Sequence, residues 1–309
     1  MHLSPRFTPG FTPCFTPLRL GAILAFALAG CAATPKTEVT ALTAPRSFTG
    51  GIEGPAVDRD GNVYAVNFER QQTIGKVTPK GVAEVFVTLP GTSVANGIRF
   101  DRAGMMYAVD YVGATVYRID PATRAIAVHA QNSAMGAPND LAIAPDGTLY
   151  ASAPDWKTNT GKVWRIGTDG KVALAAGDMG TTNGIEVSPD GRTLYVNESI
   201  QRIIWAFDIG AGGALSGKRR FATFPDFGMD GMRVDVDGNL YVTRFGKGTI
   251  AKLARDGRLL AEITLPGKRP SNIAFGGPDG RTAYVTEVEN GQLLQFRVDR
   301  PGQEWRNRR

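Results

Sequence analysis

Six times along the chain, about every 42–47 residues, one short pattern recurs. A polar residue is followed seven positions later by a turn residue, then by a glycine and soon after by a tyrosine. The polar residues are Glu53, Asn96, Asn139, Asn183, Asp230 and Asn272. The glycines are Gly61, Gly104, Gly147, Gly191, Gly238 and Gly280, and the tyrosines Tyr64, Tyr107, Tyr150, Tyr195, Tyr241 and Tyr284. A turn glycine between apolar runs marks a hairpin, because glycine accepts the positive φ of a tight turn. Short strands repeating at this period predict an all-β, six-bladed β-propeller, one repeat to each blade. Equivalent positions of successive blades then form rings around a central axis.

Each repeat reads as four strands. In blade three, Leu141 to Ala144 alternates with the pleat, Pro145-Asp146-Gly147 turns, and Thr148 to Ser152 returns. Lys162 to Ile166 and Val172 to Ala176 complete the blade. The last repeat ends after Leu293 to Val298 without a fourth strand. The β-rich segment from Glu38 to Phe48 is expected to supply it and close the ring, since closure removes exposed sheet edges.

At 309 residues, 42% hydrophobic and 21% charged, the composition is that of a globular protein. The net charge is +6, but Lys and Arg are scattered apart from Arg306, Arg308 and Arg309. Nucleic-acid binding asks for a clustered basic face, so no nucleic-acid partner is expected. Both cysteines, Cys14 and Cys31, precede the repeats, so the propeller has neither a disulfide nor a thiolate metal site.

The first thirty residues read as an address. Arg6 and Arg19 precede a short apolar core, Gly21 to Ala29, which ends in Leu28-Ala29-Gly30-Cys31. This resembles the lipobox of bacterial lipoproteins, which implies a lipid on Cys31. Ala32 in the next position points, by the same resemblance, to the outer membrane, with the protein facing the periplasm. An ordinary secretory signal is the alternative. The expected divisions are a signal peptide over residues 1–30, a tether over 31–37, the propeller over 38–302 and a basic tail over 303–309. The membrane is then met through the lipid anchor alone. Nothing in the sequence bears on oligomeric state.

The ring of Glu53, Asn96, Asn139, Asn183, Asp230 and Asn272 sits at the start of each innermost strand, so its side chains should converge at one mouth. Oxygen donors of this kind suit a hard divalent cation, Ca²⁺ first, with Mg²⁺ or Mn²⁺ less well matched. Zinc in its usual sites wants Cys or His, which the ring lacks. No organic cofactor is expected, because phosphate-binding and dinucleotide fingerprints are missing. A second ring, three residues after each tyrosine, holds Asn67, Asp110, Ala153, Glu198, Arg244 and Glu287. In blade three its polar role passes to Asp155, beside Trp156. Together these form a polar rim of substrate size.

The motifs Glu53-Gly-Pro, Pro138-Asn139-Asp140-Leu, Asn183-Gly, Asp230-Gly-Met and Phe275-Gly-Gly occur in order. This pattern resembles the regucalcin, gluconolactonase and luciferin-regenerating-enzyme family of six-bladed propellers over nearly all of residues 50–300. The resemblance implies a divalent ion on Glu53, Asn183 and Asp230, with Asn139 beside it holding substrate or water. It also implies a lactone or sugar-acid substrate. Sugar lactonases of the family carry an Arg where this chain has Ala137, which puts gluconolactone itself in doubt. Arg244 is a candidate to compensate, with Asn96, Asn272 and Asp155 as further substrate contacts.

The expected chemistry is opening of a cyclic ester by water, with the cation polarising the carbonyl and Asp230 as the base. Serine-triad chemistry is disfavoured, since the propeller's one histidine, His129, lies in an alternating strand and no Gly-x-Ser-x-Gly elbow occurs. A non-catalytic propeller, its axis stabilised by an ion and its mouth binding a sugar or a protein, is the alternative.

Overall fold

The computed structural model describes residues 37–307. The leader, Cys31 and the last two residues lie outside them. The described residues form six four-stranded antiparallel sheets, each built from strands consecutive in sequence save one. Blade one runs Phe48–Val57, Val63–Phe68, Thr73–Val77 and Ala83–Thr88, from inside outwards. In the sixth sheet the innermost strand is Pro270–Gly276 and the third is Gln292–Arg297. Its outermost strand is Val39–Ala41, from the other end of the chain, with Val39 opposite Phe296 and Ala41 opposite Leu294. Thr43 adds a side-chain clasp, its Oγ1 accepting from the Leu293 amide at 3.0 Å.

Each tight turn between the first two strands is set by its glycine. Gly61, Gly104 and Gly147 have φ of 85°, 89° and 90°. In blade one Asp58 Oδ1 completes the turn by accepting from the Asp60 and Asn62 amides at 2.9 and 2.8 Å.

The hydrophobic core is divided into six clusters, and each lies between neighbouring blades. Ile74 and Tyr64 of blade one pack with Ile98, Met106 and Ile119 of blade two. The cluster between blades six and one joins Ala274, Tyr284 and Leu293 to Ile52, Val63 and Phe68. The recurrent tyrosines belong to these seams. Tyr64 meets Phe86 and Phe100 edge-on, with centroids 5.0 and 5.4 Å apart, and Tyr241 meets Phe275 at 5.1 Å. A lone blade would expose both faces, so the six stand or fall together.

The segment expected as a basic tail begins as a short helix, Gln303–Asn307. It packs across the turn-bearing end of the inner strands. Glu304 Oε1 accepts from the Phe275 amide, and Gly302 donates to the Gly280 carbonyl at 2.9 Å. No helix of the described residues is long and apolar enough to cross a membrane.

Candidate metal and substrate site

Glu53, Asn96, Asn183 and Asn272 sit where the inner-strand register breaks, and Asn139 and Asp230 stand just before their inner strands. Pairing with the second strand shifts between Glu53 and Ala56, between Ala95 and Ile98, and between Thr182 and Ile185. Bulges of this kind turn a side chain out of the pleat and towards the axis. Four of the six are followed by glycine: Gly54, Gly97, Gly184 and Gly231. These are not hairpin formers. A Cβ on Gly184 would strike the Asp230 carbonyl oxygen of the next blade and lie 2.7 Å from Asn197 Nδ2. The glycine lets adjoining inner strands close up, as the 2.9 Å bond from the Gly97 amide to the Asn139 carbonyl shows. In blade three the same position is Asp140, and its side chain fills the axis.

Glu53 is 8% exposed, and its Oε2 accepts from the Gly54 amide at 2.5 Å and from Asn272 Nδ2 at 3.0 Å. Asn272 Nδ2 also donates to Asp140 Oδ2 at 3.2 Å. Asp230 lies near enough to Glu53, Asp140 and Asn183 for all three to act on its carboxyl. Burial, and then the Asp140 charge, raise the Glu53 carboxyl to about 7. Burial, followed by the charges of Glu53 and Asp140, holds Asp230 well above the usual carboxylate range. Near neutral pH this axial group therefore retains protons that a bound cation would displace.

Beneath the ring, three residues further along the inner strands, lie Arg99 and Arg233. Arg99 Nη1 is 3.1 Å from Asp140 Oδ1. Arg233 donates to Asn272 Oδ1 and to the Pro55 carbonyl, both at 3.2 Å. Glu186 comes within 3.9 Å of Arg99 and 3.8 Å of Arg233, and Glu304 within 3.5 Å of Arg233. Two fully enclosed guanidiniums thus face the axial acids from below. This layer and the axial role of Asp140 escaped the sequence reading. Both were visible in principle, the first as charges three residues after a ring position and the second as the one ionisable residue where four blades have glycine.

Several expected roles change. Asn272 turns its carbonyl oxygen to Arg233 and the Ile273 amide, so it offers the ring N–H groups rather than an oxygen ligand. Asn96 Nδ2 likewise donates to the Asn139 carbonyl at 3.0 Å, tying two blades together beside the mouth. Arg244 is 1% exposed, 2.8 Å from Asp226 and 3.6 Å from Glu262, and stacked 3.6 Å from the Phe224 ring centre. Its charge is held by those partners. Asp155 ends its strand as a turn cap, accepting from the Lys157 amide at 2.9 Å and the Thr158 amide at 3.3 Å. The other second-ring acids also bind loops. Asp110 accepts from the amides of Val94, Val112 and Gly113, and Glu287 from those of Arg269, Glu289 and Asn290. His129 lies on the outermost strand of blade two, edge-on to Tyr107 and away from the axis.

Buried acceptors without partners fit the ion that the sequence leads one to expect. Asn183 Oδ1 and Asn139 Oδ1 are enclosed and accept no hydrogen bond, as is Asn67 Oδ1 further out. Unpaired buried oxygens are costly unless something completes them. Among the described residues no three His, Cys, Asp or Glu side chains are grouped to hold a metal. A cation here would draw on the amide oxygen of Asn183 together with Glu53 and Asp230, an all-oxygen set of the kind Ca²⁺ takes.

Next to Asn96 and Asn139 opens a cavity of about 280 Å³ whose wall includes Asn67, Tyr111, Ala137 and Trp156. The ring therefore borders a space large enough for a small ligand.

Residues 52–289 match the profile of the SMP-30/gluconolactonase/LRE-like region. The chain belongs to this family. It is 26% identical over 274 residues to a gluconolactonase of Zymomonas mobilis, covering 77% of this chain and 76% of that one. It is 28% identical over 284 residues to the diisopropyl-fluorophosphatase of Loligo vulgaris, covering 82% and 90%. Among solved structures, a gluconolactonase of Xanthomonas campestris superposes with a TM-score of 0.73 at 25% identity, over 84% of this chain and 89% of the other. The solved structure shares the fold, and the named lactonases support a lactone-hydrolysing enzyme.

Proposed function

We propose that this chain is a lactone hydrolase of the bacterial cell envelope that works with one divalent cation, Ca²⁺ ahead of Mg²⁺ or Mn²⁺. The observation that carries the reading is one ring that holds the Glu53 and Asp230 carboxyls and the unpartnered Asn183 oxygen, and whose Asn96 and Asn139 line a ligand-sized cavity. The likeness to a gluconolactonase over three-quarters of both chains supports lactones as the substrate class. The lipobox-like Leu28-Ala29-Gly30-Cys31 supports a lipid-anchored envelope protein.

Glu53, Asn183 and Asp230 would hold the ion, which would supply Lewis acidity towards the ester carbonyl and lower the pKa of a nearby water. Glu53 serves as a fixed ligand, because Gly54 and Asn272 already pin its Oε2. Asp230 takes the proton as water adds to the carbonyl carbon. The ring C–O bond then breaks, the proton passes to the departing ring oxygen, and a hydroxy acid leaves. Asn139, with an oxygen free to accept, orients the water or a substrate N–H or O–H. Asn96 and Asn272 keep the ring in place by donating to Asn139 and Glu53.

A second reading at the same centre is hydrolysis of a neutral phosphorus ester. The likeness that spans 90% of the diisopropyl-fluorophosphatase favours it. The purified propeller, from about residue 36 onward, should open lactones from a mixed sugar, aliphatic and aromatic panel. The activity should vanish in EDTA and return with Ca²⁺. A protein that binds Ca²⁺ yet opens no lactone and cleaves no phosphorus ester would be a binding propeller instead.

A further inference from the structure

We propose that the mouth is built for an uncharged lactone that carries a hydrogen-bond donor beside the ring and an apolar or planar substituent lying against Trp156 and Tyr111. The inference rests on the lactonase reading and specifies its substrate.

The cavity wall is formed by Gly51, Asn67, Gln71, Asn96, Tyr111, Ala137, Asn139, Pro154 and Trp156. No Asp, Glu, Lys or Arg is among them. Arg244, the one cation of the second ring, is enclosed by Asp226, Glu262 and Phe224. Below the mouth stand Glu53, Asp140 and Asp230. A carboxylate, phosphate or sulfonate on the substrate would leave water without a counter-charge on the wall, at a net cost.

What the wall offers is divided. Two wall residues carry enclosed acceptors without donors, Asn139 Oδ1 in the ring and Asn67 Oδ1 further out. Asn67 is fixed there with φ of 65°, while its Nδ2 donates to the Gly51 carbonyl at 2.7 Å. These oxygens fit a hydroxyl or an amide N–H. On the outer side stand Tyr111 and Trp156, 38% and 50% exposed, with Pro154 and Ala137. Both aromatics are presented by pinned turns. Asp110 holds the turn of Tyr111 through the Val94 and Val112 amides, and Asp155 holds that of Trp156 through the Lys157 and Thr158 amides. The second-ring acids thus build an aromatic rim rather than touch substrate. Large aromatic side chains left in water beside a small cavity are best satisfied by an apolar partner.

The test compares four lactones on the Ca²⁺-loaded protein: γ-butyrolactone, its α-hexanoylamino derivative, its α-ammonio derivative and glucono-δ-lactone. The hexanoylamino lactone should have the highest kcat/KM, by about tenfold or more over the others, the scale on which an apolar pocket discriminates. In Trp156→Ala its advantage over γ-butyrolactone should shrink about tenfold, through KM. Ala137→Arg, which adds a guanidinium at the wall, should move preference towards glucono-δ-lactone. A wild-type preference for glucono-δ-lactone or for the ammonio lactone, or an unchanged ratio in Trp156→Ala, overturns the inference and leaves the lactonase reading standing. If no lactone is opened, that reading fails. Calorimetric titration with the corresponding lactams then decides the pocket: selective binding of the hexanoylamino lactam, lost in Trp156→Ala, supports it, and equal or absent binding overturns it.

Discussion

Arg233 Nη1 donates to Asn272 Oδ1 at 3.2 Å, and that bond decides which way the Asn272 amide faces. With its oxygen taken from below, Asn272 presents Nδ2 to both Glu53 and Asp140. One enclosed cation therefore orders two acids that lie on different blades.

Replacing Arg233 by Met removes that order. Glu304, Glu186 and Asp140 lose a guanidinium partner in a site where Arg233 is 1% exposed. Removing one member of a buried ion pair costs about 3–5 kcal/mol. Urea unfolding of Arg233→Met should show a loss of that size. A loss below about 1 kcal/mol would mean that the acids below the ring are already satisfied without it.

The metal-free protein should lose stability as pH rises from about 4.5 to about 7. Burial lifts both Glu53 and Glu186 to about 7, against an ordinary value of 4.5. Between those limits the folded chain binds more protons than the unfolded chain, so its stability falls with rising pH. Asp230, also raised, acts in the same direction. Urea midpoints in EDTA across pH 4.5–8 check this, and a midpoint that rises over that range would contradict it. Under the proposed function, Ca²⁺ affinity should climb over the same interval, with proton release on binding.

Asp230→Asn separates two contributions of one side chain. As the proposed base, its loss should lower kcat on any lactone by about 100-fold or more. As a carboxyl raised by desolvation and by the charges of Glu53 and Asp140, its neutralisation should also raise the urea midpoint of the metal-free protein at pH 8. A variant with near-normal turnover would assign the base elsewhere. A lower midpoint would show that Asp230 is a net stabilising charge.

The propeller and its period were legible because the hairpin chemistry is local. Turn glycines, strand alternation and tyrosines all lie within a dozen residues of one another in each repeat. The ring was legible for the same reason, since it keeps a fixed offset from the turn. What an amide does once it reaches the axis depends on residues from other blades. Asn272 meets Glu53, which is 219 residues away, and Asp140, which is 132 away. Arg244 looked available as a substrate contact only because Asp226 and Glu262 are not neighbours in any local pattern. The second-ring acids had the residue types of a binding rim, but their oxygens are taken up by loop amides, which leave no trace in composition.

The glycines after the ring residues give the most direct test of how the ring is assembled. Gly184 has an ordinary φ, so alanine there meets no backbone penalty. Its Cβ would nonetheless strike the Asp230 carbonyl oxygen and crowd Asn197 Nδ2 and Met232. Blade five must then move away from blade four at the point where Asn183 and Asp230 meet. Overpacking of this kind costs about 1–3 kcal/mol. Gly177 lies in the outermost strand of blade three, and its Cβ would meet nothing nearer than Leu174 at 4.0 Å. Gly177→Ala should stay within about 0.5 kcal/mol of the parent. Gly184→Ala should also weaken Ca²⁺ binding, since it displaces Asp230 from Asn183, whereas Gly177→Ala should not. Calorimetric titration with Ca²⁺ on both variants distinguishes a ring set by close approach of the inner strands from one that adjusts to its neighbours. Equal affinities in the two variants would rule out the close-approach account.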